Sequence, residues 1–146
     1  MTKMQICVNC VKKVEMSTNF YYTETRLHEG LEYTVSLQAY TGFQCTKCEE
    51  VYHTKHSENQ IFCELKNVIG LLQTEEIRAG LKKTGYSQRG FAELTGIAEE
   101  VVSRWVNNRQ MQSRSLDNFM RVFFNVKEVR HVLASRWARG KTKGGK

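Results

Sequence analysis

Residues 87–108 read SQRGFAELTGIAEEVVSRWVNN and contain two short amphipathic runs that meet at Gly96. Ser87 is a residue type that caps helix N-termini, and glycine suits the tight turn between the runs. Apolar side chains at helical spacing predict one helix over residues 88–94 and a second over about 99–106. Two short helices joined in this way are typical of a helix-turn-helix, whose second helix lies in the major groove of DNA.

Residues 69–137 as a whole are predicted to form an all-α domain of five helices. Thr74, followed by two glutamates, predicts the start of a helix that ends at Gly85. Gly80, inside that helix, is a weak point worth about 1 kcal/mol relative to alanine. Ser115 is predicted to cap a fourth helix, and a fifth covers about residues 127–136. The glycine-rich basic end, residues 138–146, is predicted to be a disordered tail.

The second helix of the motif is expected to expose side chains that can contact DNA. Arg104 can bond bidentately to guanine O6 and N7. Glu99 and Glu100 can accept from cytosine N4, and one of them could instead orient Arg104 from one turn away. Ser103 can contact either base type. Phosphate contacts are expected at the start of the preceding helix and after the recognition helix, from Gln88, Arg89, Asn107, Asn108 and Arg109.

The N-terminal half contains four cysteines in two C-x-x-C pairs, Cys7 with Cys10 and Cys45 with Cys48. Two such turns can present four thiolates to one ion, and a closed tetrahedral set of this kind suits one structural zinc rather than a catalytic one. The 34 residues between the pairs are rich in aromatic and β-branched types and predict strands joined by a turn at residues 28–30. Residues 1–68 are therefore predicted to be a zinc-binding β module with an exit helix over 58–68, which makes the fold class α+β.

Three further residues have ligand chemistry. Cys63 lies in an apolar run with helical spacing and is predicted to be a buried structural cysteine. His53 and His56 are expected at the surface, since four cysteines already complete a ligand set. Four unrelated cysteines are disfavoured by the paired spacing, and a redox C-x-x-C is disfavoured because no βαβ pattern follows.

Charge is unevenly distributed along the chain. Residues 1–65 have 6 Lys/Arg and 8 Asp/Glu, a balance of −2, whereas residues 66–146 have 16 and 7, a balance of +9. This asymmetry favours a polyanion partner for the C-terminal half, with a solvated basic surface as the alternative. The N-terminus lacks the apolar region of a signal peptide, and no apolar run approaches the roughly 20 residues of a membrane span. We therefore expect a cytoplasmic protein with reduced cysteines and no membrane contact.

Two groups of residues resemble known families. The helix-turn-helix is similar to that of the Xre family of lambda-repressor-like domains at Ser87, Gln88, Ala92, Leu94, Gly96, Ile97, Val102, Ser103, Arg104, Trp105 and Asn107. A module with two C-x-x-C pairs followed by such a domain resembles the MqsA family of antitoxins, as do residues 45–50 and 74–78. The resemblance covers the chain to about residue 125. It implies a C-terminal dimer on a palindromic operator and a zinc module that engages a partner toxin.

Three features depart from the family pattern. A proline common between the third and fourth helices is absent, and Met111, Gln112 and Ser113 stand there. Gly80 replaces a larger apolar residue. Ala98 replaces the usual Ser or Thr cap of the recognition helix, at a cost of about 0.5–2 kcal/mol. The apolar side chains expected to be exposed for dimer contacts are Phe119, Phe123, Phe124 and Trp137.

The expected function is that of a sequence-specific transcriptional repressor that binds double-stranded DNA as a homodimer. Within that function we expect an autoregulating type II antitoxin whose zinc module binds a toxin. A phage or mobile-element regulator with a zinc module and no cognate toxin is the alternative. An enzyme is disfavoured, because no nucleophile–base pair or glycine-rich phosphate loop is evident and the expected metal site is closed.

Overall fold

The computed structural model describes the backbone of residues 2–143 and the side chains of residues 2–137. The chain divides at Gly70 into two compact units. The first unit is β-rich and ends in a helix, and the described part of the second is built from helices alone. The predicted α+β class is confirmed at this level.

Six strands and one helix make up the first unit, with bounds β1 Thr2–Cys7, β2 Lys12–Ser17, β3 Phe20–His28, β4 Leu31–Tyr40, β5 Phe43–Cys45, β6 Val51–Tyr52 and α1 Lys55–Ile69. Strands β1, β2, β5 and β6 form one antiparallel sheet in that order, and β3 and β4 form a separate two-stranded ribbon. The segment between the cysteine pairs thus leaves the sheet after β2, forms the ribbon, and returns as β5.

The ribbon turns at Glu29 and Gly30, which have φ values of 50° and 78°. His28 pairs with Leu31, so the loop has two residues. Two consecutive left-handed residues match the type I′ turn, whose twist fits that of the flanking strands. The predicted hairpin at residues 28–30 is confirmed.

Helix α1 has a capping residue at each end. The Thr54 side chain accepts from the backbone N–H of Ser57 at 3.0 Å, and Gly70 ends the helix with φ 88°. The helix packs against β4 and buries Ile61 and Leu65, which lie one turn apart. Cys63 is exposed, so its predicted burial is wrong. Two residues along a helix is about 200° of rotation, which turns Cys63 away from the face that Ile61 occupies.

Five helices form the second unit, with bounds α2 Thr74–Thr84, α3 Gln88–Thr95, α4 Glu99–Val106, α5 Arg114–Asn125 and α6 Lys127–Lys143. Counted over residues 2–143, the chain has six helices: the five of the second unit and α1, which covers the exit helix predicted over residues 58–68. Helix α6 extends to Lys143 and so covers residues 138–143 of the segment predicted as a disordered tail. Residues 144–146 lie outside the described residues.

The helix starts differ in detail from those predicted. Ser113 rather than Ser115 caps α5, and its hydroxyl accepts from the N–H of Leu116 at 3.2 Å. Gln73 rather than Thr74 precedes α2, and its N–H donates to the Glu76 carboxylate at 2.7 Å. In both cases a second side chain capable of capping stands nearby, so the local sequence permits either start.

The core of the second unit is formed by α2 to α5. Its buried members are Leu72, Ile77, Leu81, Phe91, Ala92, Val102, Trp105, Val106, Met120, Phe123 and Phe124. Phe123 and Phe124 were expected on the surface, and that expectation is wrong, because α5 turns both into the core. Phe119 is partly buried against this core, whereas Trp137 is 44% exposed.

A buried polar cluster ties the segment before α2 to α5. One Asp117 carboxylate oxygen accepts from the backbone N–H of Leu72 at 2.7 Å and from the Gln112 amide at 3.0 Å. The Gln112 amide also donates to the Leu72 carbonyl at 2.8 Å, and Arg121 pairs with the other Asp117 oxygen at 2.9 Å. Asp117 is only 2% exposed, so these donors satisfy a carboxylate that burial alone would penalise.

Candidate metal centre and nucleic-acid interface

The two cysteine pairs lie at equivalent places in the sheet. Cys7 ends β1 and Cys45 ends β5, and both strands pair with β2. Cys10 and Cys48 follow three residues later in the turns after these strands. Val11 and Glu49, the residues after each second cysteine, have φ values of 54° and 63°. The left-handed residue lets each turn fold back on itself, although valine is a strained choice there.

All four sulfur atoms lie within 4.8 Å of one another. The Sγ atoms of Cys7 and Cys48 are 3.5 Å apart, and those of Cys10 and Cys45 are 3.8 Å apart. A tetrahedral ion about 2.3 Å from each sulfur requires sulfur separations of about 3.8 Å. The four cysteines therefore fit a closed structural metal site, as their spacing predicted.

Backbone and side-chain donors surround these sulfurs. The N–H of Cys10 donates to the Cys7 sulfur, and the N–H of Lys47 donates to the Cys45 sulfur, both at 3.4 Å. The Tyr52 hydroxyl lies 3.2 Å from the Cys7 sulfur and accepts from the N–H of Val8 at 2.9 Å. Because that N–H occupies a lone pair of the phenol oxygen, the phenol proton is directed to the sulfur.

The thiols differ in how readily they ionise. The hydrogen bond from Tyr52 is the main reason that the pKa of Cys7 falls to about 6. The hydrogen bond to Cys48, with burial, raises the pKa of the Cys10 thiol to about 12. One member of the set is thus a thiolate at neutral pH while another resists ionisation. Complete deprotonation of the set needs a bound cation, and its binding releases protons.

Tyr52 is a part of this site that sequence reasoning missed. A tyrosine hydroxyl has no ligand spacing of its own, so the pattern of cysteines does not point to it. Only the pairing of β5 with β6, which places Phe43 opposite Tyr52, brings the residue to the cysteines. Groups that hydrogen-bond to metal ligands typically change metal affinity 10–100-fold.

Replacing Tyr52 by phenylalanine is expected to lower metal affinity about 10–100-fold, because the Cys7 thiolate loses its side-chain donor. Competition against a chromophoric chelator at fixed pH measures the change. Tyr21→Phe, at an exposed position of β3, is the matched control and should bind metal like the wild-type chain. Equal affinities for the two variants would show that Tyr52 does not support the site.

His53 is exposed, as the sequence predicted, and it also makes side-chain contacts. Its Nδ1 atom lies 2.5 Å from the Tyr40 hydroxyl and 3.5 Å from the Glu58 carboxylate. Its ring packs edge-on against the rings of Tyr22 and Tyr40 at 5.9 Å. Burial raises the pKa of Tyr22 to about 12, so both phenols remain protonated donors at neutral pH. This cluster joins the ribbon to the start of α1 and contributes no sulfur-site ligand.

The helix-turn-helix forms where it was predicted. The Ser87 hydroxyl accepts from the N–H of Gly90 at 2.9 Å and caps α3, and Gly96 ends α3 with φ 80°. Ala98 precedes α4 and makes no side-chain cap, in agreement with the departure seen in the sequence. Helix α4 buries Val102, Trp105 and Val106. Its opposite face carries the predicted base-reading side chains, Glu99, Glu100, Ser103 and Arg104.

Arg104 is exposed, and its guanidinium donates to the Gln110 side chain at 3.4 Å. The sequence left open that Glu99 or Glu100 orients Arg104, whereas the contact that the structure gives this guanidinium is with Gln110 in the loop after α4. Glu99, Glu100 and Ser103 line a shallow cavity of about 430 Å³ at the start of the helix. The N-terminal half of the α4 outer face is therefore acidic, and Arg104 lies beyond it.

The residues predicted to contact phosphate lie in two places. Gln88 and Arg89 begin α3, and Arg89 is ion-paired with Glu93 at 3.4 Å. Asn107 and Arg109 are exposed after α4, and the Asn107 amide donates to the Ser103 carbonyl at 2.9 Å.

Asn108 differs from these four residues. Its φ is 56°, and its side chain accepts from the Thr74 hydroxyl at 3.3 Å. Of the two asparagines that follow α4, Asn108 has the left-handed conformation and Asn107, with φ −106°, does not. The Asn108 side chain helps to hold the end of α4 against the start of α2.

No known family model matches the sequence, and a search of curated proteins finds no match. Within residues 2–143, every helix is too short or too polar to cross a bilayer. The function of the chain is therefore inferred from its own residues and geometry.

Proposed function

We propose that this chain is a sequence-specific DNA-binding transcriptional repressor. The observation that carries the proposal is the α3–Gly96–α4 arrangement, in which one face of α4 is buried and the other presents Ser103 and Arg104 to solvent. A second helix of this kind fits the major groove of B-DNA, and the capped start of α3 offers backbone N–H groups to phosphate. The balance of +9 over residues 66–146 supplies the long-range attraction.

In this proposal Arg104 reads a guanine, and Gln110 holds the guanidinium in place. Arg89, Asn107 and Arg109 contact phosphates and set the register of the helix on the duplex. The helix-turn-helix acts as a homodimer, so that two α4 helices read the half-sites of a palindromic operator.

The metal in this proposal is a single structural zinc ion at Cys7, Cys10, Cys45 and Cys48. Four thiolates are soft ligands that suit zinc, and their separations match its tetrahedral geometry. A closed set of four leaves no open position for substrate. The ion thus contributes folding energy to the first unit and no chemical step.

We further propose that the protein is an antitoxin that represses its own promoter and binds a toxin through the first unit. The resemblance to the MqsA family supports this role. A second observation is a set of exposed apolar residues on β1 and in the cysteine turn that follows it, namely Met4, Ile6, Val8 and Val11. Val8 and Val11 are 76% and 85% exposed, and such a patch beside a rigid sheet suits a protein partner.

Replacing Arg104 by alanine is expected to cost about 1–3 kcal/mol of binding free energy on the preferred operator, with relaxed preference at one base position. The operator is first selected from a randomised DNA library with the wild-type chain, and binding is then measured on single-base variants. Arg109→Ala is the comparison. This variant should weaken binding on all sequences alike. It should also reduce the slope of log affinity against log salt by the amount expected for the loss of about one phosphate contact. If Arg104→Ala also weakens all sequences alike, Arg104 is a phosphate contact and not a base reader.

The antitoxin role is tested separately by co-expression with the product of the adjacent open reading frame. The expected result is rescue of growth and a stable complex that Cys45→Ser loses and Arg104→Ala retains. A chain that selects an operator but forms no complex would be a repressor without a toxin.

A further inference from the structure

A cavity of about 280 Å³ lies in the second unit beside the start of α6, and it is lined by Tyr86, Lys127, Arg130, His131 and Ala134. Three of these side chains are cationic or can be protonated, and a fourth offers a phenol hydroxyl. No carboxylate is among the described lining residues. A small pocket with this composition suits an oxyanion, which accepts hydrogen bonds from every polar group present.

Two of the polar groups are held in place by α5. The Arg130 guanidinium donates to the backbone carbonyl of Phe123, near the C-terminal end of that helix. The ring of Tyr86 packs edge-on against the ring of Phe123, with centroids 5.4 Å apart. Both side chains are thus anchored on one fully buried residue. A ligand that binds here does not have to order them first, which lowers the entropic cost of binding.

The position of the cavity relates it to DNA. Tyr86 immediately precedes Ser87, which caps α3, so the cavity adjoins the helix start where Gln88 and Arg89 are proposed to meet a phosphate. Each DNA strand presents a phosphate about every 3.4 Å along the helix axis. A DNA strand with one phosphate at the start of α3 therefore has its next phosphates close by, within the region where the cavity lies.

The negative charge at the start of α4 means that phosphate contacts are needed from other elements. Its exposed face begins with Glu99 and Glu100, which repel phosphate and line their own cavity with Ser103. The positive charge that a duplex requires must then come from elements that flank the recognition helix. Lys127, Arg130 and His131 form one such group.

We propose that this cavity binds one backbone phosphate of the operator, adjacent to the phosphate at the start of α3. Lys127 and His131 bind the phosphate at the open side of the cavity, and Arg130 and Tyr86 form its fixed wall. The contact extends the footprint on DNA beyond the helix-turn-helix and carries no sequence information. This inference rests on the proposed DNA-binding function.

The test compares the salt dependence of operator binding for the wild-type chain and for the double variant Lys127→Gln, His131→Gln. Loss of one phosphate contact should reduce the slope of log affinity against log salt by about 0.9, with the ratio of operator to scrambled-sequence affinity unchanged. Lys82→Gln, an exposed lysine in the last turn of α2, is the matched control and should leave the slope near the wild-type value. Arg130 is left intact because its bond to Phe123 also supports the fold.

A second measurement follows the His131 ring by NMR during titration of the full chain with operator DNA or with inorganic phosphate. We expect the ring signals to shift on DNA and to move under inorganic phosphate only at high concentration. If the slope does not fall while Arg104→Ala still loses specificity, the inference is overturned and the proposed function stands. If inorganic phosphate saturates the cavity and operator DNA leaves the His131 signals unmoved, the site takes a free phosphorylated ligand and the inference is also overturned. A wild-type chain that selects no DNA sequence would overturn the proposed function itself.

Discussion

Stripping bound metal from the full chain with a chelator is expected to unfold the sheet of β1, β2, β5 and β6 while the helices of the second unit remain folded. Amide signals from residues 2–17 and 43–52 should collapse into the unfolded range of an NMR spectrum. Signals from residues 71–137 should keep their positions, and added zinc should restore the lost ones.

The physical reason is the composition of the core beneath this sheet. Its buried members are Cys7, Val14, Met16 and Cys45, so half of them are candidate metal ligands. Two buried apolar side chains, with Phe43 and Tyr52 partly buried against them, cannot offset the conformational entropy of four strands. Binding of a structural zinc ion contributes about 10–16 kcal/mol in small domains of this kind, which exceeds the stability of most whole domains.

The chain provides its own control for this experiment. Cys45→Ser removes a ligand and should reproduce the effect of the chelator even in excess zinc. Cys63→Ser changes the same residue type at an exposed position of α1 and should leave the spectrum and the metal content unchanged. Dispersed signals for residues 2–17 and 43–52 in the metal-free chain would mean that the sheet does not depend on a metal.

The features that sequence analysis predicted correctly are those whose causes are local. The helices of the motif depend on Ser87, Gly96 and a 3.6-residue apolar period, all of which lie within one stretch of chain. The sulfur cluster was predictable because each C-x-x-C turn preorganises two ligands, and only the meeting of the two turns is tertiary.

The features that it missed depend on contacts between distant segments. Cys63 lies among apolar residues in sequence, but the direction in which α1 presents it is set by packing against β4. Tyr52 and His53 are neighbours in the chain, yet one reaches the Cys7 sulfur and the other reaches the Tyr40 hydroxyl. Neither contact has a spacing rule, because strand pairing and the fold of the ribbon decide both.

Replacing Gly80 by alanine is expected to lower the free energy of unfolding of the second unit by about 2 kcal/mol, although helix propensity alone predicts a gain of about 1 kcal/mol. A Cβ atom at this position would lie less than 3.0 Å from three ring carbons of Phe124. That residue is 5% exposed, and its ring packs 6.1 Å from Phe91 and 6.0 Å from Phe123 between centroids, so a shift of the ring would disturb both contacts.

Urea unfolding followed by tryptophan fluorescence measures this effect, since both tryptophans, Trp105 and Trp137, lie in the second unit. Ala79→Gly, at the exposed neighbouring position of α2, measures the propensity difference without the steric contact and should cost about 1 kcal/mol. A stabilising Gly80→Ala would show that the ring of Phe124 yields and that propensity dominates.

The decisive variant combines Gly80→Ala with Phe124→Leu. Leucine lacks the ring carbons that the new methyl group would meet. Gly80→Ala should therefore lower the free energy of unfolding less in the Phe124→Leu background than in the wild-type chain, or should raise it. The difference between the two backgrounds is the interaction free energy of the pair. A large value would mean that Gly80 is half of a matched pair, in which the missing Cβ on α2 accommodates the aromatic ring on α5. The glycine at position 80 would then be a packing solution that preserves the scaffold of α3 and α4, because Phe124 contacts the same core that positions both helices.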